Sequence, residues 1–204
     1  MVKDNLVKNI LLNGGVLCLD FVNTIHDRIN EPERDYWVTH VHLLQWALKA
    51  GDISSADYET ILSHYESRPA QSSKLLKEAI RLRELLYNIF YSLSAGKKIP
   101  VGDLDSFNTI LSKCLSHLRL KAHGKGFSQS WQLTPGESMI ILVPVIYSAY
   151  ELLLSDKLEK IKECSNCGWL FLDASKNGTR RWCSMNTCGS IVKAREWYHR
   201  NKGN

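Results

Sequence analysis

Residues 164–189, CSNCGWLFLDASKNGTRRWCSMNTCG, contain four cysteines in two close pairs. Two residues separate Cys164 from Cys167, and four separate Cys183 from Cys188. Structural zinc sites use four thiolate or imidazole ligands in a tetrahedron. We therefore predict one structural zinc ion on these cysteines, with no coordination position left for catalysis. Two alternatives remain open, namely four unliganded core cysteines or a redox pair in the first of the two motifs.

The residues around the cysteines predict a small module of known order. Residues 169–172 are strand-like, an Asn-Gly turn follows at 177–178, and residues 179–182 are expected to return as the second strand. A helix is expected over 191–202, with Ser190 as its N-cap. A cysteine knuckle, a hairpin and then a helix form the order of a treble-clef-like zinc module.

The chain before the module is expected to be mainly helical. Residues 74–95 carry the strongest helical stripe, and residues 139–154 are apolar all round, which predicts a buried central helix. Two other helices are expected to span Gly14-Gly15 through Ile25 and residues 40–50. Others are expected to begin after the cap Ser54, after Asp103, and at Pro135, for which Thr134 is the cap. Residues 30–37 are expected to form a loop.

A change of period marks a β-hairpin inside this helical region. Residues 118–122 and 127–131 alternate between apolar and polar, and a glycine-rich turn lies between them. The predicted fold is therefore mainly α. A helical domain with one small β-hairpin spans residues 1–156, and the zinc module spans residues 157–204.

Composition is that of an ordinary globular protein, and a cytoplasmic location is expected. It has 204 residues, of which 44% are hydrophobic and 23% charged. The first residues lack the features of a signal peptide, and the longest apolar run is too short and too polar to cross a membrane. Clustered cysteines in a reducing compartment indicate a metal site more than disulfides.

The positive charge is concentrated at the C-terminal end. Residues 157–204 contain ten Lys and Arg and four Asp and Glu, whereas residues 1–156 contain sixteen Lys and Arg and seventeen Asp and Glu. One zinc ion on four thiolates would lower the net charge of the module by two, and the module would still be basic. A basic surface is expected to bind nucleic acid through phosphates.

Six residues form the predicted nucleic-acid-binding set: Arg180, Arg181, Lys193, Arg195, Trp197 and Arg200. On the last helix, Lys193, Trp197 and Arg200 share one face. The opposite face of Ile191, Ala194 and Tyr198 is expected to pack on the zinc hairpin. The alternative is a solvated face on which Glu196 pairs with Arg200.

The helical domain offers only a weak site. Asp20, Asn23 and His26 fall three apart along the first expected helix, and Arg28, Glu31 and Arg34 follow in sequence. They could line a pocket, but we favour polar residues that tie the first helix to a neighbouring loop. Neither a Gly-rich phosphate loop nor an H-E-x-x-H motif occurs, so no enzyme activity is predicted.

The stretch from Cys164 to Gly189 resembles the bacterial CGNR zinc-finger family. The opening Gly14-Gly15-Val-Leu-Cys-Leu-Asp-Phe-Val-Asn-Thr24 resembles the helical ABATE domain of that family. The resemblance spans nearly the whole chain. It implies a stress-related transcription regulator with a mostly helical first domain and a DNA-binding finger.

One departure from the family concerns the four residues that give it its name. In place of Cys-Gly-Asn-Arg, this chain has Cys188-Gly189-Ser190-Ile191. Isoleucine cannot donate to a phosphate or a base edge as arginine does. Two functions are therefore considered. One is a regulator whose module binds DNA, or RNA, and whose helical domain senses a ligand or partner. The other is a protein-interaction or scaffolding protein whose zinc is purely structural.

Overall fold

The computed structural model describes residues 6–134, 137 and 139–202, and within them it contains seven α-helices and three two-stranded antiparallel sheets. The helices are α1 (Leu17–Val22), α2 (His40–Ala50), α3 (Ser55–Glu66), α4 (Pro69–Ser94), α5 (Val101–Leu115), α6 (Met139–Leu153) and α7 (Ser190–Asn201). The strands are β1 (Ile25–Asp27), β2 (Glu31–Asp35), β3 (Leu118–His123), β4 (Gly126–Trp131), β5 (Ile161–Glu163) and β6 (Leu170–Leu172). The predicted class, mainly α with a small hairpin and a C-terminal cysteine module, is confirmed.

The helix boundaries follow local sequence signals. Pro69 begins α4, where its missing N–H costs nothing. Gly51 ends α2 with φ 75°, a conformation that favours glycine. The predicted start of α6 at Pro135 lies outside the described residues, together with Gly136 and Ser138. At the predicted cap, the Thr134 amide donates a hydrogen bond to the Glu137 carboxylate at 3.1 Å, which is one of the two bonds of a capping box.

Helix α6 forms the centre of the apolar core, as its composition predicts. Ile141, Val143, Val145, Ile146 and Ala149 are fully buried on it. Three aromatic rings pack together where α1 meets α2. The Phe21 ring lies 5.0 Å from that of Trp37 and 5.3 Å from that of Trp46. Burial of such large apolar side chains is the main stabilising contribution to the fold.

The prediction for the segment after α1 is wrong in two respects. The first helix ends at Val22, Ile25 lies in β1, and the expected loop over 30–37 contains β2. Tertiary contacts fix this hairpin. The buried Arg83 guanidinium of α4 donates to both carboxylate oxygens of Asp35, at 2.8 and 2.6 Å. Such a bidentate ion pair holds β2 against α4, and sequence periodicity does not report it.

The β3–β4 hairpin forms as predicted, with Leu118 paired to Trp131 and His123 paired to Gly126. Gly124 provides the left-handed residue of the turn, with φ 58°. In the described ranges, no helix combines the length and the apolar character that crossing a bilayer requires.

Asp52 is an unusual acid, because both of its carboxylate oxygens are buried and no described residue bonds to them. Burial raises the pKa of Asp52 to about 8. An unfolded aspartate has an ordinary pKa of about 4. Between about pH 4 and the folded-state pKa of about 8, Asp52 is therefore protonated in the folded chain and ionised in the unfolded chain. The contribution of Asp52 to stability is therefore lost as the pH rises through this window.

We predict that Asp52→Asn makes the free energy of unfolding fall less steeply between pH 5 and pH 8 than in the wild type. Urea denaturation at several pH values measures this difference. Asp105→Asn, an exposed aspartate on α5, is the matched control and should keep the wild-type slope. Equal slopes for the wild type and Asp52→Asn would refute the assignment.

Candidate metal centre

The first cysteine pair lies in the loop of the β5–β6 hairpin. The Cys164 amide donates to the Trp169 carbonyl at 2.8 Å, and the Gly168 amide donates to the Cys164 carbonyl at 2.9 Å. Gly168 has φ 71°, a conformation that favours glycine and closes the tight turn after Cys167. The predicted partner strand is wrong, because β6 pairs with 161–163 and not with 179–182.

The four sulfurs converge on one point. The ligand atoms of Cys164, Cys167, Cys183 and Cys188 all lie within 4.8 Å of one another, and all four residues are buried. The Cys183 sulfur lies 3.7 Å from that of Cys167 and 3.7 Å from that of Cys188. Sulfurs bonded tetrahedrally to zinc at about 2.3 Å are about 3.8 Å apart. The cluster therefore fits a structural zinc ion.

The electrostatics of the cluster favour a bound cation. Hydrogen bonds from Cys167, Cys183 and Cys188 hold the pKa of Cys164 far below its ordinary value. Hydrogen bonding to Cys164, together with burial, raises the pKa of Cys167. Without a metal, the buried thiols thus share protons and cannot all ionise together. A zinc ion would supply the charge that lets four thiolates occupy this space.

The second cysteine pair is shaped by a wide helical turn, Met185–Gly189, that runs directly into α7. Gly189 is buried, and a Cβ there would lie 2.7 Å from the Met185 sulfur and 3.2 Å from the Trp182 ring. A larger residue at this position would therefore require the Met185 side chain and the Trp182 ring to shift. The predicted N-cap role of Ser190 is wrong, since Ser190 is the first residue of the helix and its hydroxyl donates to the Met185 carbonyl at 3.0 Å.

The helical part of the chain also contacts the knuckle, which is the turn of residues 164–168 with the first cysteine pair. The Arg28 amide, in the β1–β2 turn, donates to the Cys167 carbonyl at 2.9 Å. A Cβ on Gly168 would lie 3.1 Å from that of Arg28, so glycine also permits this contact. The Arg28 guanidinium pairs with Glu84 at 2.8 Å and lies 3.7 Å from the centre of the Tyr87 ring. Sequence analysis did not single out Glu84 and Tyr87, because no motif or spacing marks them.

Asn23 joins the two parts of the chain most directly. Its side chain is fully buried. The amide nitrogen donates to the Leu170 carbonyl at 2.8 Å, and the amide oxygen accepts from the Leu170 N–H at 2.9 Å. Asn23 therefore pairs with β6 as a neighbouring strand would.

These contacts favour the structural interpretation of the predicted pocket residues. The Asp20 carboxylate accepts from the Gly14 amide at 2.7 Å. His26 and Arg34 both lie close to Glu31, at 3.3 and 3.1 Å. Asp20 and Asn23 are thus used in hydrogen bonds to Gly14 and Leu170, and among the described residues they do not line one pocket with His26.

Asp173 organises the loop between the cysteine pairs. Burial raises its pKa, but the ion pair with Lys162 at 2.8 Å and hydrogen bonds from Ser175 and the Arg180 amide outweigh burial and hold the pKa below its ordinary value. The Ser175 hydroxyl donates at 2.6 Å, and the Arg180 amide at 2.9 Å. Asp173 is thus a hydrogen-bond acceptor that joins β5 to the loop between the cysteine pairs.

The predicted nucleic-acid residues divide into two groups. The Arg180 guanidinium donates to the carbonyls of Trp182 and Cys183 and covers the Phe171 ring. Its contacts give it a structural role and do not support its prediction as a nucleic-acid residue. Arg181 is exposed beside the Trp182 ring, with its guanidinium carbon 5.3 Å from the ring centre.

Helix α7 is exposed on both faces. Among the described residues, no side chain forms an ion pair or hydrogen bond with the charged groups of Lys193 and Arg200, so the Glu196–Arg200 pair of the alternative interpretation is not formed. Trp197 is 62% exposed and Tyr198 is 53% exposed. The prediction that Ile191, Ala194 and Tyr198 pack on the zinc hairpin is wrong, since α7 has no buried residue.

Two family models match the chain. One, described as "Putative stress-induced transcription regulator" and named ABATE, matches residues 15–156, which is more than half of the chain. The other, described as the CGNR zinc finger, matches residues 160–201. A search of the curated proteins finds no match. The zinc-finger match and the buried four-cysteine cluster agree on structural zinc.

We predict that Cys167→Ser and Cys183→Ser each reduce bound zinc from about one ion per chain to well below that value and lower the melting temperature. Loss of one of four ligands leaves a buried, incomplete site. Elemental analysis and thermal unfolding measure both effects. Cys114→Ser, at a buried cysteine outside the cluster, should retain zinc. Full zinc binding by both cluster variants would contradict the assignment.

We predict that Asn23→Ala lowers the free energy of unfolding by roughly 2–4 kcal/mol, because it leaves a buried N–H and a buried C=O of Leu170 without partners. Urea denaturation measures the change. Asn108→Ala, at an exposed position of α5, should change stability by less than about 0.5 kcal/mol. Similar small effects for both variants would show that the Asn23 pairing is unimportant.

Proposed function

The chain belongs to the ABATE family and carries a CGNR zinc finger, and on this basis we propose a transcription regulator that binds nucleic acid through its C-terminal module. The helical domain, residues 1–156, senses a ligand or partner, and residues 157–204 form the binding module. The family description points to a regulator and not to an enzyme. Such a regulator acts in the cytoplasm, where bacterial DNA is accessible.

The observation that carries the proposal is the uncommitted basic face of α7. Lys193, Trp197 and Arg200 follow at intervals of four and three residues, so they share one face of the helix. Both cations lack a protein partner in the described part of the chain. Phosphates are the natural counterions for such a face, and the exposed indole can stack on a base or pack beside the sugar.

The zinc cluster gives this face a fixed position. A helix of 12 residues that buries nothing is marginal on its own. Here α7 continues directly from the turn that carries Cys188, so the metal fixes where the helix begins. Arg195 adds a further contact to the module, since its guanidinium lies 3.4 Å from the Asn166 side-chain oxygen.

A second candidate function rests on the apolar groups of the same helix. Ile191, at the position of the family's arginine, is 44% exposed and cannot contact phosphate. Together with Tyr198 on the same face of α7, which is 53% exposed, it forms a surface that a protein partner could cover. In that case the module would be an interaction element, and the zinc purely structural.

We predict that Lys193→Ala combined with Arg200→Ala weakens binding to random duplex DNA about tenfold at low salt. Loss of two phosphate contacts should also reduce the slope of log K against log salt by about 1.8. Fluorescence anisotropy at several salt concentrations measures both, with single-stranded RNA as a second probe.

The matched control removes two exposed cations from α4, in Lys77→Ala combined with Arg81→Ala. It changes the net charge equally and should keep wild-type affinity and slope. Equal losses in the two double variants would show that only net charge matters. Absence of binding by the wild type would favour the interaction function.

A further inference from the structure

A small cavity lies where the end of α2, the start of α3, the end of β4 and the kink-prone middle of α6 meet. Its volume is about 220 Å³. The apolar lining residues are Ile53, Ile61, Trp131, Leu133, Ile140, Val143 and Pro144, and the acidic lining residues are Asp52 and Asp57. Apolar cavities of about 150 Å³ accept benzene, so this one has room for a ring with a short substituent.

Of the polar side-chain groups in this cavity, the indole N–H of Trp131 is a donor, and those of Asp52 and Asp57 are carboxyl groups. Both oxygens of Asp52 are buried without a hydrogen-bond partner. Pro144 has no N–H, so the carbonyl of Ile140, four residues earlier on α6, lacks its usual helical donor. Asp57 accepts a hydrogen bond from the Ser54 hydroxyl at 2.6 Å. No Lys, Arg or His lines the cavity among the described residues.

An unpaired buried carboxyl group is costly, and proteins pair such groups or keep them protonated. Burial raises the pKa of Asp52 to about 8, which shows how poorly the protein itself stabilises the carboxylate. A ligand that donates hydrogen bonds and carries positive charge would remove this cost. The Trp131 ring, at the wall of the same cavity, adds apolar surface for the rest of such a ligand.

We propose that this cavity binds a small apolar amine, with its ammonium group paired to Asp52 and its apolar body against Trp131, Ile61 and Val143. The inference deepens the sensing role proposed above for the helical domain, because it names the ligand class. It rests on that role for its biological meaning. The binding event itself does not depend on nucleic acid.

The cavity is connected to the metal module through the core. Its wall on α6 is continuous with the face that packs on α1, where the Ser148 hydroxyl accepts from the Cys18 amide at 3.2 Å. Helix α1 leads into Asn23, which pairs with β6 of the zinc module. A ligand that stabilises α6 therefore acts on an element adjoining the module's main attachment.

The test measures calorimetric binding of three small probes to the zinc-loaded full chain. Benzylamine carries the proposed ammonium group, benzyl alcohol has the same shape without charge, and benzoate has the opposite charge. Benzylamine should bind at least about tenfold more tightly than either, since charge-assisted hydrogen bonds are roughly twice as strong as neutral ones. The indole N–H NMR signal of Trp131, assigned with Trp131→Phe, should shift on titration.

Asp52→Asn should abolish the preference for benzylamine, while Asp105→Asn, an exposed aspartate outside the cavity, should retain it. Equal binding of amine and alcohol, an unchanged preference in Asp52→Asn, or no binding would each overturn the proposal. Because the assay contains no nucleic acid, a negative result would reject the amine site and leave the proposal of DNA binding unaffected. A normal result here with no DNA binding would fault only the proposed function of the module.

Discussion

Four buried sulfurs within a few ångströms of one another impose the central constraint on this protein. Thiols so close cannot all lose their protons without a compensating cation, and unpaired charges are very costly in a protein interior. A single zinc ion satisfies four thiolates at once and closes two otherwise separate loops on one point. The knuckle, the wide turn before α7 and the position of α7 itself all follow from this closure.

The module is also held by the helical part of the chain, and this attachment is polar and specific. Asn23 substitutes for a strand at the edge of β6, and the Arg28 amide satisfies the Cys167 carbonyl. The β1–β2 hairpin that positions Arg28 is itself fixed by the pairing of Arg83 with Asp35. Cys167 is thus fixed twice, through its sulfur by the metal and through its carbonyl by the Arg28 amide. This arrangement leaves α7 projecting from the module with most of its side chains exposed.

Sequence reasoning predicted the features that depend on local pattern. The cysteine spacing identified the metal cluster, and helical periodicity identified α4. A continuous apolar composition identified α6, and alternation around a glycine-rich turn identified the β3–β4 hairpin. It failed where long-range contacts decide the outcome. The three-residue strand Ile161–Glu163 has too little pattern to be distinguished from a helix, and it pairs with β6 only because the knuckle turns the chain back. Residues 179–182 looked like a strand, but Arg180 binds backbone carbonyls of the zinc loop instead. Asn23 was noticed for its helical spacing, yet its role depends on Leu170, a distant residue that sequence does not place nearby.

X-ray absorption at the zinc edge tests the central claim most directly, on full-length protein prepared under reducing conditions. The account predicts a single shell of four sulfur ligands at about 2.3 Å, with no nitrogen or oxygen ligand. A mixed shell, a coordination number above four, or protein that is folded and free of metal would contradict it.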